Sequence, residues 1–171
     1  TSRTVGVDAV DAAGNRSARA EIAVATQACP PPPSSPPVAC NAVASPGQGT
    51  AQALLGRLSA GQTGCLRGGT YTPSGAYVLD LSKSNVSIVS YPGERAILQG
   101  LIVSRNGANN VRLADVRIEG QAGGSNSIQV YGADFVLEGS DVTNGWRGRS
   151  CMILGDPSVG AAVRPVIRGN R

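Results

Sequence analysis

The chain of 171 residues contains no histidine. That excludes any mechanism needing an imidazole within these residues. No cysteine pair has CxxC spacing, so most zinc sites are excluded as well. Aromatic residues are scarce, with one Phe, one Trp and four Tyr, so a core must come from Val, Ile, Leu and Ala. Only 15% of residues are charged against 41% hydrophobic, which excludes a disordered charged tail. No stretch approaches the ~20 apolar residues of a membrane-crossing helix, and no membrane span is expected. Lysine is nearly absent: of 15 cationic residues, Lys83 is the only one that is not arginine. The arginines stand singly, without runs or interleaved aromatics, which argues against nucleic acid as a partner. A mildly basic surface remains, with a net charge of +4 and an attraction for acidic polysaccharide.

Proline, by contrast, is concentrated. Ala28–Cys40, "ACPPPPSSPPVAC", holds six prolines and no charge. Such a run favours extended polyproline II and acts as a semi-rigid spacer. Before it, "TVGVDAV" and "ARAEIAVA" alternate apolar and polar residues around the Gly14-Asn15 turn, which predicts a β-hairpin. A lone hairpin is marginal in water. It is therefore read as the closing hairpin of a β-sandwich, with the earlier strands preceding this chain. The expected organisation is a hairpin over 1–27, a linker over 28–40 and a second domain over 41–171.

After the prolines, "GTAQALLGRLSAGQTG" places Ala51, Leu54, Leu55 and Leu58 on one helical face. Thr50 is the expected N-cap and Gly61 the expected C-terminal stop. Beyond it, short apolar runs are separated by Gly, Asn and Ser. One series aligns on Ile88, Leu113, Leu137 and Ile167, and a second on Ile102, Ile128 and Ile153. Both share a period of about 25 residues, the signature of coils that bury their faces by stacking. The connections are too short for crossover helices. An all-β fold follows: the first coils of a parallel β-helix, with an N-terminal cap helix shielding the open edge.

"GQGTAQALLGRLSAGQTGCLRGGTY" and "NVSIVSYPGERAILQGLIV" resemble the opening of right-handed parallel β-helix proteins of the pectate-lyase-like superfamily. "VDAAGNRSA" resembles the closing hairpin of fibronectin type III modules in secreted bacterial proteins. The first resemblance spans Cys40–Arg171 and implies a secreted protein, extracellular or cell-wall associated. Because complete members run on for many more coils, "VIRGNR" is read as mid-coil, the N-terminal part of a longer protein that is a monomer when full length. Two functions follow from the superfamily. The leading one, for the full-length protein, is a polysaccharide lyase, in which an Arg or Lys takes the proton α to a uronate carboxyl. The other is a non-catalytic carbohydrate-binding or adhesion module. No cofactor is evident in these residues; the resemblance admits Ca2+ in the full-length protein. No complete catalytic set is present, and this chain alone is expected to be inactive.

Stacked positions become columns about 4.8 Å apart. Four residues past the first anchors stand Pro92, Arg117, Asp141 and Arg171. The resemblance makes Arg117 and Asp141 catalytic candidates; the competing and favoured account is a surface ion-pair ladder. Six residues past stand Glu94 and Glu119, which as neighbours would bind a cation, although solvated residues are the better account. Trp146, Arg147 and Arg149 in "TNGWRGRSC" are substrate-binding candidates, since an indole stacks on sugar and Arg pairs carboxylates. Their alternative is a covered coil edge with solvated arginines. Cys40 and Cys65 flank the helix and are the expected disulfide, with Cys29–Cys40 as the alternative. Cys151 lies in an apolar run, as a buried thiol or a partner for a cysteine beyond residue 171.

Overall fold

The computed structural model describes residues 2–25, 38–120, 126–144 and 150–171. The chain separates into two units, Thr1–Pro36 and Pro37–Arg171.

In the first unit, β1 (Ser2–Val7) pairs antiparallel with β2 (Ala20–Ala25), in the register Val5↔Ile22 and Val7↔Ala20. A further bridge joins Val10 and Arg16. Asp11 builds the tip. Its Oδ1 accepts the N–H groups of Ala13 and Asn15, and its Oδ2 accepts from Asn15 Nδ2, each at 2.9 Å. Gly14 turns the chain at φ 86, a conformation that glycine adopts without a Cβ penalty. The Gly-Asn hairpin is therefore present, and its turn depends as much on Asp11 as on Gly14.

The second unit is a parallel β-solenoid with three sheets. The longest contains β3 (Ala42–Ala44), β5 (Thr63–Leu66), β8 (Val86–Ser90), β11 (Val111–Ala114), β14 (Val136–Glu138) and β17 (Val166–Arg168). The second contains β4 (Gly47–Gln48), β6 (Gly69–Thr72), β9 (Ala96–Leu98), β12 (Arg117–Ile118) and β15 (Asp141–Val142). The third contains β7 (Leu79–Leu81), β10 (Ile102–Ser104), β13 (Ile128–Val130) and β16 (Met152–Leu154). Each strand pairs with its equivalent one coil away.

The first predicted column is the observed one, Ile88↔Leu113↔Leu137↔Ile167. The first three members are fully buried. The second series slips at its last member. Ile128 pairs with Met152, so Ile153 belongs to the outward column of Val103 and Gln129. The β4–β15 sheet is a third series that periodicity did not reveal, because strands of two residues such as β12 and β15 are too short to show alternation.

Corners explain why so many runs begin with Asn or Asp. Asn85, Asn110, Asp134 and Arg164 all have φ between 50 and 57, and each stands three residues before its column anchor. Asn and Asp tolerate this left-handed region better than other residues with a Cβ. Asn110 Nδ2 also donates to Asn85 Oδ1 at 3.0 Å, linking two coils at the corner.

Helix α1 (Thr50–Arg57) lies against the strands of the first coils. Ala51, Leu54, Leu55 and Leu58 are buried, as the periodicity predicts. Gly64 lets the helix approach: a Cβ there would meet Leu54 Cδ2 at 2.9 Å and Leu58 Cδ1 at 3.1 Å. The ends differ from expectation. Gly49 is the N-cap, in a left-handed conformation, while Thr50 is the first helical residue. The Thr50 hydroxyl donates to the Ser45 and Gly47 carbonyls instead of accepting from the helix. The helix stops at Arg57, with Leu58 already extended, and Gly61 serves the following turn at φ 82. Lys83 Nζ donates to the Gly56 and Leu58 carbonyls at 2.7 Å each. The one ammonium side chain thus covers helix C-terminal oxygens that lack partners.

Cys40 and Cys65 form a disulfide closing a separation of 25 residues. It ties the incoming segment to the outer face of β5, where Val38, Cys40 and Tyr91 pack on Cys65, Val89 and Ala114. Loop-closure entropy makes such a link worth about 3 kcal/mol. Cys151 is exposed, so the buried-thiol expectation fails. The register explains this: the residues that enter the stack from this run are Met152 and Leu154, paired with Ile128 and Val130. Cys29 lies outside the described residues.

Among the described residues, one buried hydroxyl stays unsatisfied. Ser104 sits in an inward column between Leu81 and Val130, fully buried, and its Oγ has no hydrogen-bond partner. Ser104→Ala is expected to raise the unfolding free energy by about 1 kcal/mol, since an unmade buried hydrogen bond costs ~1–3 kcal/mol. Asn110→Ala is expected to lower it by about 1 kcal/mol and Asn110→Gly by less, because alanine pays the left-handed penalty. Urea unfolding followed by circular dichroism measures both.

Candidate functional site

Outward positions of β12 and β15 bring two of the candidates together. Arg117 and Asp141 are register neighbours, as the column predicts. Behind Arg117 the column continues with Ile97, not Pro92, because the Tyr91–Glu94 turn shifts the register. Register does not decide the bonding. Arg117 Nε is ion-paired with Glu119 Oε1 at 2.9 Å, along its own coil. Asp141 is held by two other arginines. Arg95 Nη2 donates to Oδ2 at 2.7 Å, and Arg171 Nε donates to Oδ1 at 3.0 Å. Arg95 also donates from Nη1 to the Gly139 carbonyl at 3.1 Å, which spans the corner between β14 and β15.

Around that corner the pattern repeats. Glu138 accepts from Arg112 Nε and from Arg168 Nε, both at 2.6 Å. The adjoining faces thus carry Arg95, Arg112, Arg117, Arg168 and Arg171 against Asp115, Glu119, Glu138 and Asp141, an excess of one positive charge (5 − 4).

These contacts set the protonation states. The Arg95 guanidinium, followed by Arg171, holds the Asp141 carboxyl below the usual carboxylate range. Burial pushes Glu138 upward, but hydrogen bonds from Arg112 and Arg168 outweigh it and the net direction is down. Asp134, bonded to Arg164, is lowered too. All three are carboxylates at neutral pH and none is a proton donor.

Glu94 and Glu119 are not neighbours. Glu94 pairs with Arg67 at 2.8 Å and accepts the Gly68 N–H at 2.6 Å, whereas Glu119 belongs to Arg117. The shifted register after the Tyr91–Glu94 turn separates them. Among the described residues, no group of three or more His, Cys, Asp or Glu is gathered as a metal site would require. Trp146, Arg147 and Arg149 lie outside the described residues. The chain around them is anchored: Thr143 N–H donates to the Ile118 carbonyl at 2.8 Å, and Asn144 Nδ2 to the Ser150 carbonyl at 3.1 Å.

Two further features were not anticipated. Arg105 binds Asp80 through two bonds, at 2.8 and 2.7 Å, and its guanidinium lies 4.8 Å from the Tyr77 ring centre. A cavity of ≈ 460 Å³ is lined by Leu154, Asp156, Pro157 and Ala162 together with glycine and alanine backbone. Its carboxylate is already bonded to Ser158, through both the N–H and the hydroxyl. Arg95, the residue that organises Asp141, was also missed. Its only signal is a place in the Gly93–Arg95 turn, and a turn has no period.

No protein family, curated protein or solved structure matches the chain. The pectate-lyase-like and fibronectin type III resemblances therefore assign no residue a role here.

The lowered carboxylates, which include Asp11 and Asp156 as well as Asp134, Glu138 and Asp141, imply a defined pH response. A carboxyl with a depressed folded pKa contributes stability above its unfolded value of about 4, which is lost as pH falls through the folded value. With no histidine to titrate, unfolding free energy is expected to be flat from about pH 5 to 7 and to fall below about pH 4. Glu138→Gln should flatten part of that fall. Urea midpoints measured across pH test both statements.

Proposed function

We propose that this β-solenoid is a non-catalytic module that binds acidic polysaccharide through its arginine-rich outer faces. The observation that carries this reading is the positive excess on the adjoining β14 and β15 faces, with Arg117 half exposed and Arg171 84% exposed. A guanidinium has five N–H donors in a fixed fork, so an arginine that gives one bond to a neighbouring carboxylate can still take a uronate. Each such exposed contact contributes ~0.2–1 kcal/mol. Useful affinity then requires several contacts along one polymer, which suits a ladder built by repetition.

The lyase alternative finds less support. It asks Arg117 to remove a proton, yet the Arg117 guanidinium is ion-paired with Glu119 along its own coil. It also asks for a cation or an arginine to stabilise the developing negative charge, while Arg95 and Arg171 are each already paired with Asp141. The disulfide suits an oxidising, extracellular setting. On the same proposal, the hairpin of the first unit is the end of a fibronectin type III-like spacer, and the prolines are its linker.

The test is retention on immobilised polygalacturonate and alginate at low salt, with a neutral glucan as control. The acidic polymers should retain the protein and salt should release it. Arg117→Ala/Arg171→Ala should weaken binding roughly 3- to 10-fold, two contacts' worth. Equal retention on the glucan, or an unaffected double variant, would overturn the proposal. Ultraviolet absorbance from an unsaturated uronate would replace it with the lyase reading.

A further inference from the structure

The disulfide belongs to a hydrophobic cluster of its own. Cys65, Val89 and Ala114 are fully buried, yet they alternate with the inward residues Gly64, Ile88 and Leu113 and so occupy the outer face of the β5–β8–β11 sheet. They pack apart from the main core. The same outward column continues with Glu138 and Arg168, where charged side chains replace apolar ones. The early coils thus carry an apolar outer strip that must be kept from water. Val38 and Cys40 of the incoming segment cover it, together with Tyr91.

Little holds that segment down. Among the described residues, no backbone–backbone hydrogen bond joins Val38, Ala39 or Cys40 to the stack. The first comes one residue later, where the Asn41 N–H donates to the Thr63 carbonyl at 2.8 Å and Asn41 Oδ1 accepts the Thr63 N–H at 2.8 Å. From there β3 is fixed by its pairing with β5. Val38–Cys40 therefore rests on one covalent bond and on apolar contact. Cys65 is fully buried whereas Cys40 is half-buried, so solvent reaches the bond from the Cys40 side.

We propose that the Cys40–Cys65 disulfide is a redox latch: its reduction frees Val38–Cys40 from the outer face and uncovers the Cys65 thiol and its apolar strip, while the coils stay stacked. An external dithiol performs the chemistry. Its thiolate attacks Cys40 Sγ, forming a mixed disulfide and releasing Cys65 as a thiolate. The second thiol then displaces Cys40. The dithiol leaves as a cyclic disulfide, and the protein gains two electrons and two protons. The inward columns and the buried face of α1 contain neither cysteine, so the main core loses nothing. The point at which the proline run is fixed to the solenoid moves from Val38 to Asn41. A disulfide that only strengthened the stack would behave differently, because its loss would loosen the coils together.

The experiment reduces the full chain with dithiothreitol under native conditions and follows alkylation of each cysteine by iodoacetamide, with peptide mapping by mass spectrometry. Cys151, exposed on the same molecule, is the internal standard. In the oxidised protein Cys65 should not react. In the reduced protein it should react within about tenfold of the Cys151 rate, because thiol reactivity follows exposure. Far-ultraviolet circular dichroism and the hydrogen-exchange protection of β8 and β11 should be unchanged. Reoxidation should silence Cys65 again. Cys40→Ala should give a reactive Cys65 without reductant. Val38→Ser, which keeps both cysteines, should speed alkylation of Cys65 after reduction. A reduced Cys65 slower than that tenfold limit would mean that the segment stays in place, and would overturn the proposal. So would loss of dichroism, or of β8 and β11 protection, on reduction.

Discussion

Everything in the second unit depends on one constraint: a coil of three short strands cannot bury its own interior. Strands of two to five residues form no stable sheet alone. The hydrogen bonds of each strand go to its equivalents in neighbouring coils, at a spacing of about 4.8 Å. The inward columns, such as Tyr71–Leu98–Ile118, become continuous only through that stacking. This makes register decisive. A one-residue slip would turn a column of Leu and Ile to water.

Register is maintained by devices that the coils repeat. The left-handed corner residues fix where each strand begins, and the Asn85–Asn110 bond links two of those corners. At the start of the stack, α1 and the Cys40–Cys65 disulfide cover surfaces that later coils cover for one another. Tyr71 shows how a polar atom is accommodated inside. Its hydroxyl donates within reach of the Ala44 and Arg67 carbonyls, both at 2.9 Å, and burial raises its pKa to about 12.

Repetition also governs the chemistry of the outer faces. Carboxylates sit between arginines, so the usual markers of catalysis, a displaced proton or an unpaired carboxylate, do not arise at Asp141 or Glu138. What repetition produces is a surface of many similar weak contacts. That is the physical basis of the proposal that the molecule binds repetitive, acidic partners, and it sets Arg117 and Asp141 in a charge ladder of ion pairs.

Residue patterns alone were enough for the parallel solenoid, the cap helix face, the hairpin, the Cys40–Cys65 pair and the Ile88–Ile167 column. Each rests on local spacing or on a period that survives when written in one dimension. Tertiary structure decided what local spacing cannot hold. The two-residue strands of the β4–β15 sheet carry no period, and the Tyr91–Glu94 turn shifts register by an amount no propensity encodes. For the same reason Arg117 and Asp141 could be placed side by side but not assigned partners. Long guanidinium side chains choose among carboxylates on three coils. That choice, Arg95 and Arg171 for Asp141 and Glu119 for Arg117, depends on distances that exist only once the coils are stacked.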